Sequence, residues 1–88
     1  MPVKPHSVYS EYLAANVKRL RAKQGLTQEA LAELADIGMR FMQRIESGRT
    51  NIGLNAIVAL AEALEVKPSA LFNVAKLTRG GPGRPKKR

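Results

Sequence analysis

Residues 25–48 read GLTQEALAELADIGMRFMQRIESG, and this stretch predicts two short helices separated by a tight turn. Thr27 is a favourable N-cap for the first helix, because its hydroxyl can accept a hydrogen bond from a backbone N–H of the first turn. The apolar residues that follow recur at helical spacing and are expected to be buried: Leu31, Ala32, Leu34 and Ala35. Asp36 tolerates the left-handed backbone of a helix end, so we place this helix at Gln28–Ala35.

The second helix of the pair is predicted over Met39–Ser47, with Gly48 ending it in a left-handed cap. Met42 and Ile45 fall on one face, whereas the polar side chains lie on the open faces: Arg40, Gln43 and Arg44. Two short helices that meet across about three residues have the geometry of a helix-turn-helix, a motif that seats its second helix in the major groove of DNA. Periodicity alone is equally compatible with a helical hairpin that only packs.

Helical spacing predicts further helices on either side of this pair. A preceding helix ends at Gly25. Its apolar face consists of Val8, Tyr12, Leu13, Val17 and Leu20. After a loop at 49–53, a fourth helix spans Leu54–Leu64, and Pro68 fits the first turn of a fifth helix anchored by Leu71 and Phe72. No strand-like alternation occurs, so the expected fold class is all-α, a compact five-helix domain.

The positive charge of the chain is concentrated at its C-terminus. The net charge is +8, from 15 Lys and Arg against 7 Asp and Glu. Residues 1–75 hold nine basic and seven acidic residues, a net +2, and the other six basic residues lie in 76–88 without an acid among them. We expect a flexible arm at 1–7, a folded domain at 8–77 and a disordered basic Gly/Pro-rich tail at 78–88. Such a tail favours polyanions through counterion release, or is only a solvated chain end.

The composition argues against several classes of function. The chain has no Cys and a single His, His6, so neither a disulfide framework nor a set of metal ligands is expected. No catalytic Ser/His/Asp set, carboxylate pair or phosphate-binding Gly loop is apparent, so we expect no enzyme activity, no cofactor and no metal. The longest apolar run, at 56–64, is far shorter than the ~20 residues that cross a bilayer, and no signal-peptide layout precedes it. The expected location is cytoplasmic, in a bacterial nucleoid or for a phage-encoded protein.

Several segments, in this order, resemble the phage-repressor/Cro (XRE) helix-turn-helix family: Arg21–Ala32, Ile45–Arg49, Ala59–Leu64 and Leu71–Phe72. The resemblance covers about residues 9–74 and implies a five-helix repressor-like domain that binds double-stranded DNA. The chain departs from the family pattern at Asp36, where the turn usually has Gly, and at Ile52, where a Pro often precedes the fourth helix. Gly38 replaces the usual small polar cap of the second helix of the motif.

The resemblance implies a role for each matching position. The side chains that would meet base edges are Met39, Arg40, Gln43 and Arg44. The residues that would contact the DNA backbone are Thr27, Gln28, Phe41, Arg49, Thr50 and Asn51. Arg can bridge guanine O6 and N7, and Gln can pair with adenine, although Arg40 and Arg44 can also grip phosphate alone. Phe41 can instead pack within the protein or touch a thymine methyl.

Two more residues, Arg21 and Glu46, match positions that form an internal salt bridge in the family. The resemblance therefore implies that Glu46 is structural, despite its place beside the DNA-reading face. The alternative is that Arg21 is an ordinary exposed cation, in which case the pair would contribute little.

The C-terminal residues 82–88, PGRPKKR, resemble an AT-hook, an extended element of the A·T-rich minor groove. The match is partial, because Pro82 stands where the motif has an Arg. The tail residues expected to contact DNA are Arg79, Arg84, Lys86, Lys87 and Arg88. A narrow A·T groove attracts an inserted Arg such as Arg84, but binding to phosphates in general is also compatible with these residues.

Together these features predict a transcriptional regulator that binds a (pseudo)palindromic operator as a homodimer. The size and layout resemble those of phage repressors and of restriction–modification controller proteins. The expected dimer surface comprises Leu71, Phe72, Val74 and Leu77, unless these residues only close the core of one chain. One alternative is an antitoxin-type module that also binds a toxin and represses its own operon, although antitoxin tails are usually acidic or amphipathic. The other is a nucleoid-type architectural protein that depends on its tail.

Overall fold

The computed structural model describes residues 8–75, which form four α-helices and one 3-10 helix. The α-helices are α1 (Val8–Lys23), α2 (Gln28–Ala35), α3 (Met39–Glu46) and α4 (Leu54–Leu64). The 3-10 helix spans Pro68–Phe72. The all-α class expected from the sequence is confirmed. The predicted arm at 1–7, the tail at 78–88 and Leu77 lie outside the described residues.

A single apolar core holds these elements together. Its fully buried large side chains come from every element: Leu13, Val17, Leu31, Met42, Ile45, Leu60, Leu64 and Leu71. Helix α1 packs against α3 and the 3-10 helix, while α2 packs against α4 and α3. Because α3 packs against α1, its orientation depends on residues far from it in the sequence.

The predicted fifth α-helix is in fact a 3-10 helix, and Asn16 explains where it stops. The buried side-chain amide of Asn16 donates to the carbonyl of Leu71 at 3.0 Å and to that of Asn73 at 2.8 Å. These carbonyls are satisfied by α1, so no further helical turn is needed to pair them. The backbone becomes extended at Asn73, which ends the element after five residues.

The burial predicted for Leu34 is wrong, because the residue is 62% exposed. Leu31, Ala32 and Ala35 occupy the inner face of α2 and are buried. At 3.6 residues per turn, Leu34 projects roughly 100° away from the centre of that face. An eight-residue helix with small side chains packs closely through one narrow face, so a fourth apolar residue remains in solvent.

The turn between α2 and α3 fixes the direction of the second helix. Asp36 ends α2 with left-handed backbone (φ 58°, ψ 48°), and the Ile37 amide donates to the Ala32 carbonyl at 2.9 Å. Ile37 packs against the core and Gly38 starts α3 in an extended conformation. The residue that replaces the usual Gly therefore adopts the same left-handed turn, at some cost in backbone strain.

Candidate nucleic-acid interface

Helix α3 has a buried face and a solvent-exposed face. Met42 and Ile45 are buried in the core and orient the helix. The four side chains predicted to read bases are all exposed: Met39, Arg40, Gln43 and Arg44. Met39 and Gln43, like Arg40 and Arg44, are four residues apart and therefore neighbours on successive turns, so the four side chains form a continuous outer surface. This surface combines two guanidinium groups, an amide and a thioether, the functional groups that can contact base edges.

The ion pair of Arg21 and Glu46 joins this helix to α1. The Arg21 guanidinium donates from Nε to Glu46 Oε2 at 2.7 Å and from Nη2 to Oε1 at 3.1 Å. Its third nitrogen, Nη1, donates to the carbonyl of Leu26 at 2.9 Å. The side chain of Arg21 is 20% exposed and that of Glu46 is 4% exposed. A two-pronged arginine–carboxylate contact of this kind fixes geometry as well as charge, so it sets the end of α3 against α1.

Gln28 belongs to the same network. Its side-chain amide donates from Nε2 to Glu46 Oε1 at 2.9 Å, which makes the carboxylate a junction of α1, α2 and α3. Sequence reasoning assigned Gln28 to the DNA backbone and missed this bond. The available signal was the buried acid itself, since a carboxylate held in the interior needs more than one donor. Glu46 is therefore fully engaged within the protein.

Phe41 and Arg44 interact on the outer part of α3. The guanidinium carbon of Arg44 lies 5.7 Å from the centroid of the Phe41 ring. Phe41 is half-buried and packs against the core, whereas Arg44 is exposed. This distance is within the range of a cation–π contact. Phe41 is thus a protein-packing residue with one ring face directed to a cation.

The flanks of α3 present the residues expected near the DNA backbone. Thr27 caps α2, its hydroxyl accepting from the Ala30 amide at 2.9 Å. In the loop after α3, Arg49 and Asn51 are exposed and Thr50 is half-buried. The Thr50 carbonyl accepts a bond from the Ser10 hydroxyl at 3.4 Å, which ties the loop to α1.

Gly48 is favoured by its backbone conformation, because the space beside α1 would admit a Cβ at ordinary van der Waals distance. Its backbone is left-handed (φ 77°), and a Cβ placed on it would lie 3.6 Å from the Cβ of Ala14. Ser47 stabilises the exit from the helix, because its hydroxyl donates to the Arg44 carbonyl at 2.6 Å. The same oxygen accepts from the Arg49 amide at 3.3 Å. Hydrogen bonds therefore fix the backbone before Gly48, at Ser47, and after it, at Arg49 and Thr50.

Charge is distributed unevenly between the two helices of the motif. The exposed cations of α3 and its loop are Arg40, Arg44 and Arg49. The acid in this segment, Glu46, is buried and paired. Helix α2 and its cap carry the exposed acids Glu29, Glu33 and Asp36. The outer surface of α3 is therefore the electropositive side of the motif, as binding to a polyanion requires.

The three predicted dimer residues that the structure describes, Leu71, Phe72 and Val74, differ in their exposure. Leu71 is fully buried in the core of a single chain, so its side chain is unavailable to a second chain. Phe72 is half-buried and packs against the same core. Val74 is 81% exposed. The burial of Leu71 agrees with the alternative that it closes the core of one chain, and the Asn16 bonds hold the 3-10 helix against α1.

The other predicted interaction sites lie outside the described residues. They are Leu77 and the tail residues Arg79, Arg84, Lys86, Lys87 and Arg88. Among residues 8–75, no three His, Cys, Asp or Glu side chains are grouped in a way that could hold a metal ion. In the same part of the chain, no helix is long and apolar enough to cross a bilayer.

Comparison with known proteins places this architecture among DNA-binding domains. The HTH_3 profile, described as helix-turn-helix, matches residues 17–71. The chain is 34% identical over 71 residues to the control protein C.SmaI of Serratia marcescens, covering 81% of this chain and 79% of that protein. It is 30% identical over 61 residues to the uncharacterized HTH-type transcriptional regulator y4aM of Sinorhizobium fredii. That match covers 69% of this chain but 43% of y4aM, so the chain corresponds to less than half of that relative.

A solved structure has a similar fold. The restriction-modification controller protein C.AhdI from Aeromonas hydrophila superimposes with a TM-score of 0.71 at 32% sequence identity. The match covers 75% of this chain and 100% of that one.

Proposed function

The chain belongs to the HTH_3 (XRE-type) helix-turn-helix family of DNA-binding transcriptional regulators, and from this premise we propose a sequence-specific operator-binding function. In this proposal the chain binds a (pseudo)palindromic operator as a homodimer, with α3 of each subunit in the major groove. The observation that carries the proposal is the outer surface of α3, where four exposed side chains suited to base edges stand over a buried anchoring network.

These four side chains offer three kinds of base contact. Arg40 and Arg44 can each donate two hydrogen bonds to O6 and N7 of guanine, and Gln43 can pair with N6 and N7 of adenine. The apolar Met39 suits a thymine methyl. The Arg21 cation offsets the negative charge of Glu46, and the bonds from Arg21 and Gln28 hold this carboxylate away from Arg40 and Arg44.

Contacts with phosphate would set the register of α3 in the groove. We assign them to the start of α2 and to the loop after α3. Arg49 and Asn51 are exposed there, and Thr50 is held close to α1. Thr27 and Gln28 lie at the start of α2, and the N-terminus of this helix carries a partial positive charge that favours phosphate. Gln28 would contribute through its backbone, because its side-chain amide is bonded to Glu46.

A homodimer supplies affinity that one small module lacks. Half-sites about 10 base pairs apart let two recognition helices bind successive major grooves on one side of the DNA. Since Leu71 belongs to the core, the proposed contact would use Val74, the exposed part of Phe72 and Leu77, which lies outside the described residues. A dimer of this kind makes occupancy steep in protein concentration, which suits regulation of its own synthesis.

That regulatory role agrees with the relatives named as control and controller proteins of restriction–modification systems. The proposal for this chain is likewise control of gene expression by operator binding. Its location would be that of the DNA it binds, in the bacterial cytoplasm. The tail at 78–88 would add contacts to phosphates or to the minor groove through its net positive charge.

Selection of bound sequences from a random DNA pool tests the proposal. The full chain and a chain ending at Leu77 are compared, with Arg40→Ala as a matched variant of the reading surface. A palindromic motif with both wild-type chains, and weaker binding with a shallower salt dependence after truncation, is the expected result. The absence of a motif with either chain would contradict the operator function. Binding without a motif that disappears on truncation would instead favour an architectural role.

A further inference from the structure

The contact between Phe41 and Arg44 suggests how the reading surface is oriented. The two residues lie three positions apart on α3, so their side chains are neighbours on one side of the helix. The guanidinium carbon of Arg44 stands 5.7 Å from the centroid of the Phe41 ring. Within the described residues Arg44 forms no ion pair, so its N–H groups remain available to DNA.

The ring of Phe41 is held in place by contacts within the protein. It is half-buried and packs against the core that also holds Met42 and Ile45. A ring fixed in this way is a rigid platform, whereas Arg44 is a long side chain with many accessible rotamers. The asymmetry matters because the partner with the fewer conformations determines where the other one lies.

We propose that Phe41 is a positioning residue for base reading by Arg44, so that its ring sets the guanidinium for bidentate contact with a guanine. The inference rests on the proposed operator function. An arginine already restrained over a ring loses less side-chain entropy when it binds, and the restraint favours one base position over phosphate contacts nearby. Phe41 thereby contributes to specificity without touching a base.

This role differs in a measurable way from direct contact of Phe41 with a sugar or a thymine methyl. If Phe41 acts through Arg44, its effect on DNA binding disappears when Arg44 is absent. If Phe41 touches DNA itself, the effect persists. A purely structural role would lower the unfolding temperature and weaken binding to every sequence equally. The three possibilities are separated by a double-mutant cycle on folded protein.

The cycle uses the full chain with Phe41→Leu, Arg44→Ala and the double variant, and Phe41→Tyr as the control that keeps the ring. The probes are a duplex that carries the operator selected with the wild type and a duplex with the Arg44-dependent guanine pair replaced. Thermal unfolding is recorded for each variant, and binding is measured where all are folded. Phe41→Leu should reduce preference for guanine about two- to five-fold, the factor corresponding to an exposed cation–π contact of about 0.5–1 kcal/mol. Phe41→Tyr should retain the preference.

In the Arg44→Ala background, Phe41→Leu should cause no further loss. Additive losses would overturn the proposal in favour of direct contact, and an equal loss on both duplexes would overturn it in favour of a structural role. In the free protein, nuclear magnetic resonance should detect a ring-current shift of the Arg44 side-chain protons that Phe41→Leu removes. Absence of that shift would contradict the contact itself. If the wild type selects no motif, the operator function fails and this inference fails with it; if a motif appears and the losses add, only the inference fails.

Discussion

Replacing Arg21 by Met tests how much the network of Arg21, Gln28 and Glu46 contributes to the free energy of unfolding. The change keeps the apolar stem and removes the charge. The carboxylate of Glu46, with a side chain 4% exposed, would keep the Gln28 bond of 2.9 Å but lose both arginine bonds. Breaking a buried pair in this way typically costs about 3–5 kcal/mol. Because the Arg21 side chain is 20% exposed and water can enter at that side, we expect the lower part of that range, about 3 kcal/mol.

A loss of that size is large for a chain this small. Each kcal/mol lowers the unfolding temperature of a 60–100-residue domain by about 4–8 °C, so Arg21→Met should lower it by about 12–24 °C. Urea unfolding followed by circular dichroism measures the free energy directly, with the slope compared between variants. The control is the double variant Arg21→Met with Glu46→Met, which removes the stranded charge and should recover much of the loss. A loss within about 0.5 kcal/mol for the single variant would refute the reasoning, because the pair would then behave as a surface ion pair.

Further predictions concern single positions. Arg40→Ala should weaken the preference at one base pair of each half-site by about 1–3 kcal/mol without changing the unfolding temperature, and equal weakening on all sequences would identify a phosphate contact. Asn16→Ala should cost about 1–3 kcal/mol in urea unfolding, because two carbonyls near the 3-10 helix lose their donor. Asp36→Gly should raise stability by up to about 1 kcal/mol, since Gly adopts left-handed backbone without a Cβ penalty, and a loss on thermal unfolding would contradict the strain. Leu34→Lys should change stability by less than about 0.5 kcal/mol, whereas Leu31→Lys should prevent folding.

Local signals allowed the helix-turn-helix pair to be located from the sequence. Thr27 caps α2 through its own hydroxyl, and Met42 and Ile45 repeat at helical spacing within α3. Both helices begin where the sequence places them. Helix α3 ends one residue earlier than expected, at Glu46, because Ser47 serves as its C-cap. Caps and periodicity act over a few residues, so a single sequence carries the information needed.

The features that sequence reasoning missed depend on contacts between distant residues. Asn16 ends the 3-10 helix from 55 positions away in the sequence, which no local pattern encodes. Leu34 has the residue type and spacing of a core position, but its burial depends on how α2 lies against α4. Leu71 was expected either at a dimer surface or in the core of one chain, and the packing of the 3-10 helix places it in the core. For Leu34 and Leu71, the local sequence allows either a buried or an exposed position, and tertiary packing determines which one is adopted.

In the proposed function, the outer surface of α3 and the positive charge of the tail would contribute to DNA binding in different ways. The cations exposed on α3 and its loop are Arg40, Arg44 and Arg49, while residues 76–88 contribute six basic side chains. Each phosphate neutralised steepens the dependence of log affinity on log salt by about 0.9, so the tail could outweigh the reading surface in overall attraction. Attraction of that kind is the same on every sequence, and discrimination must come from side chains held in a fixed geometry. The bonds of Glu46 to Arg21 and Gln28 meet that requirement, because three helices converge on one carboxylate at the end of the helix that carries the proposed base-contacting residues.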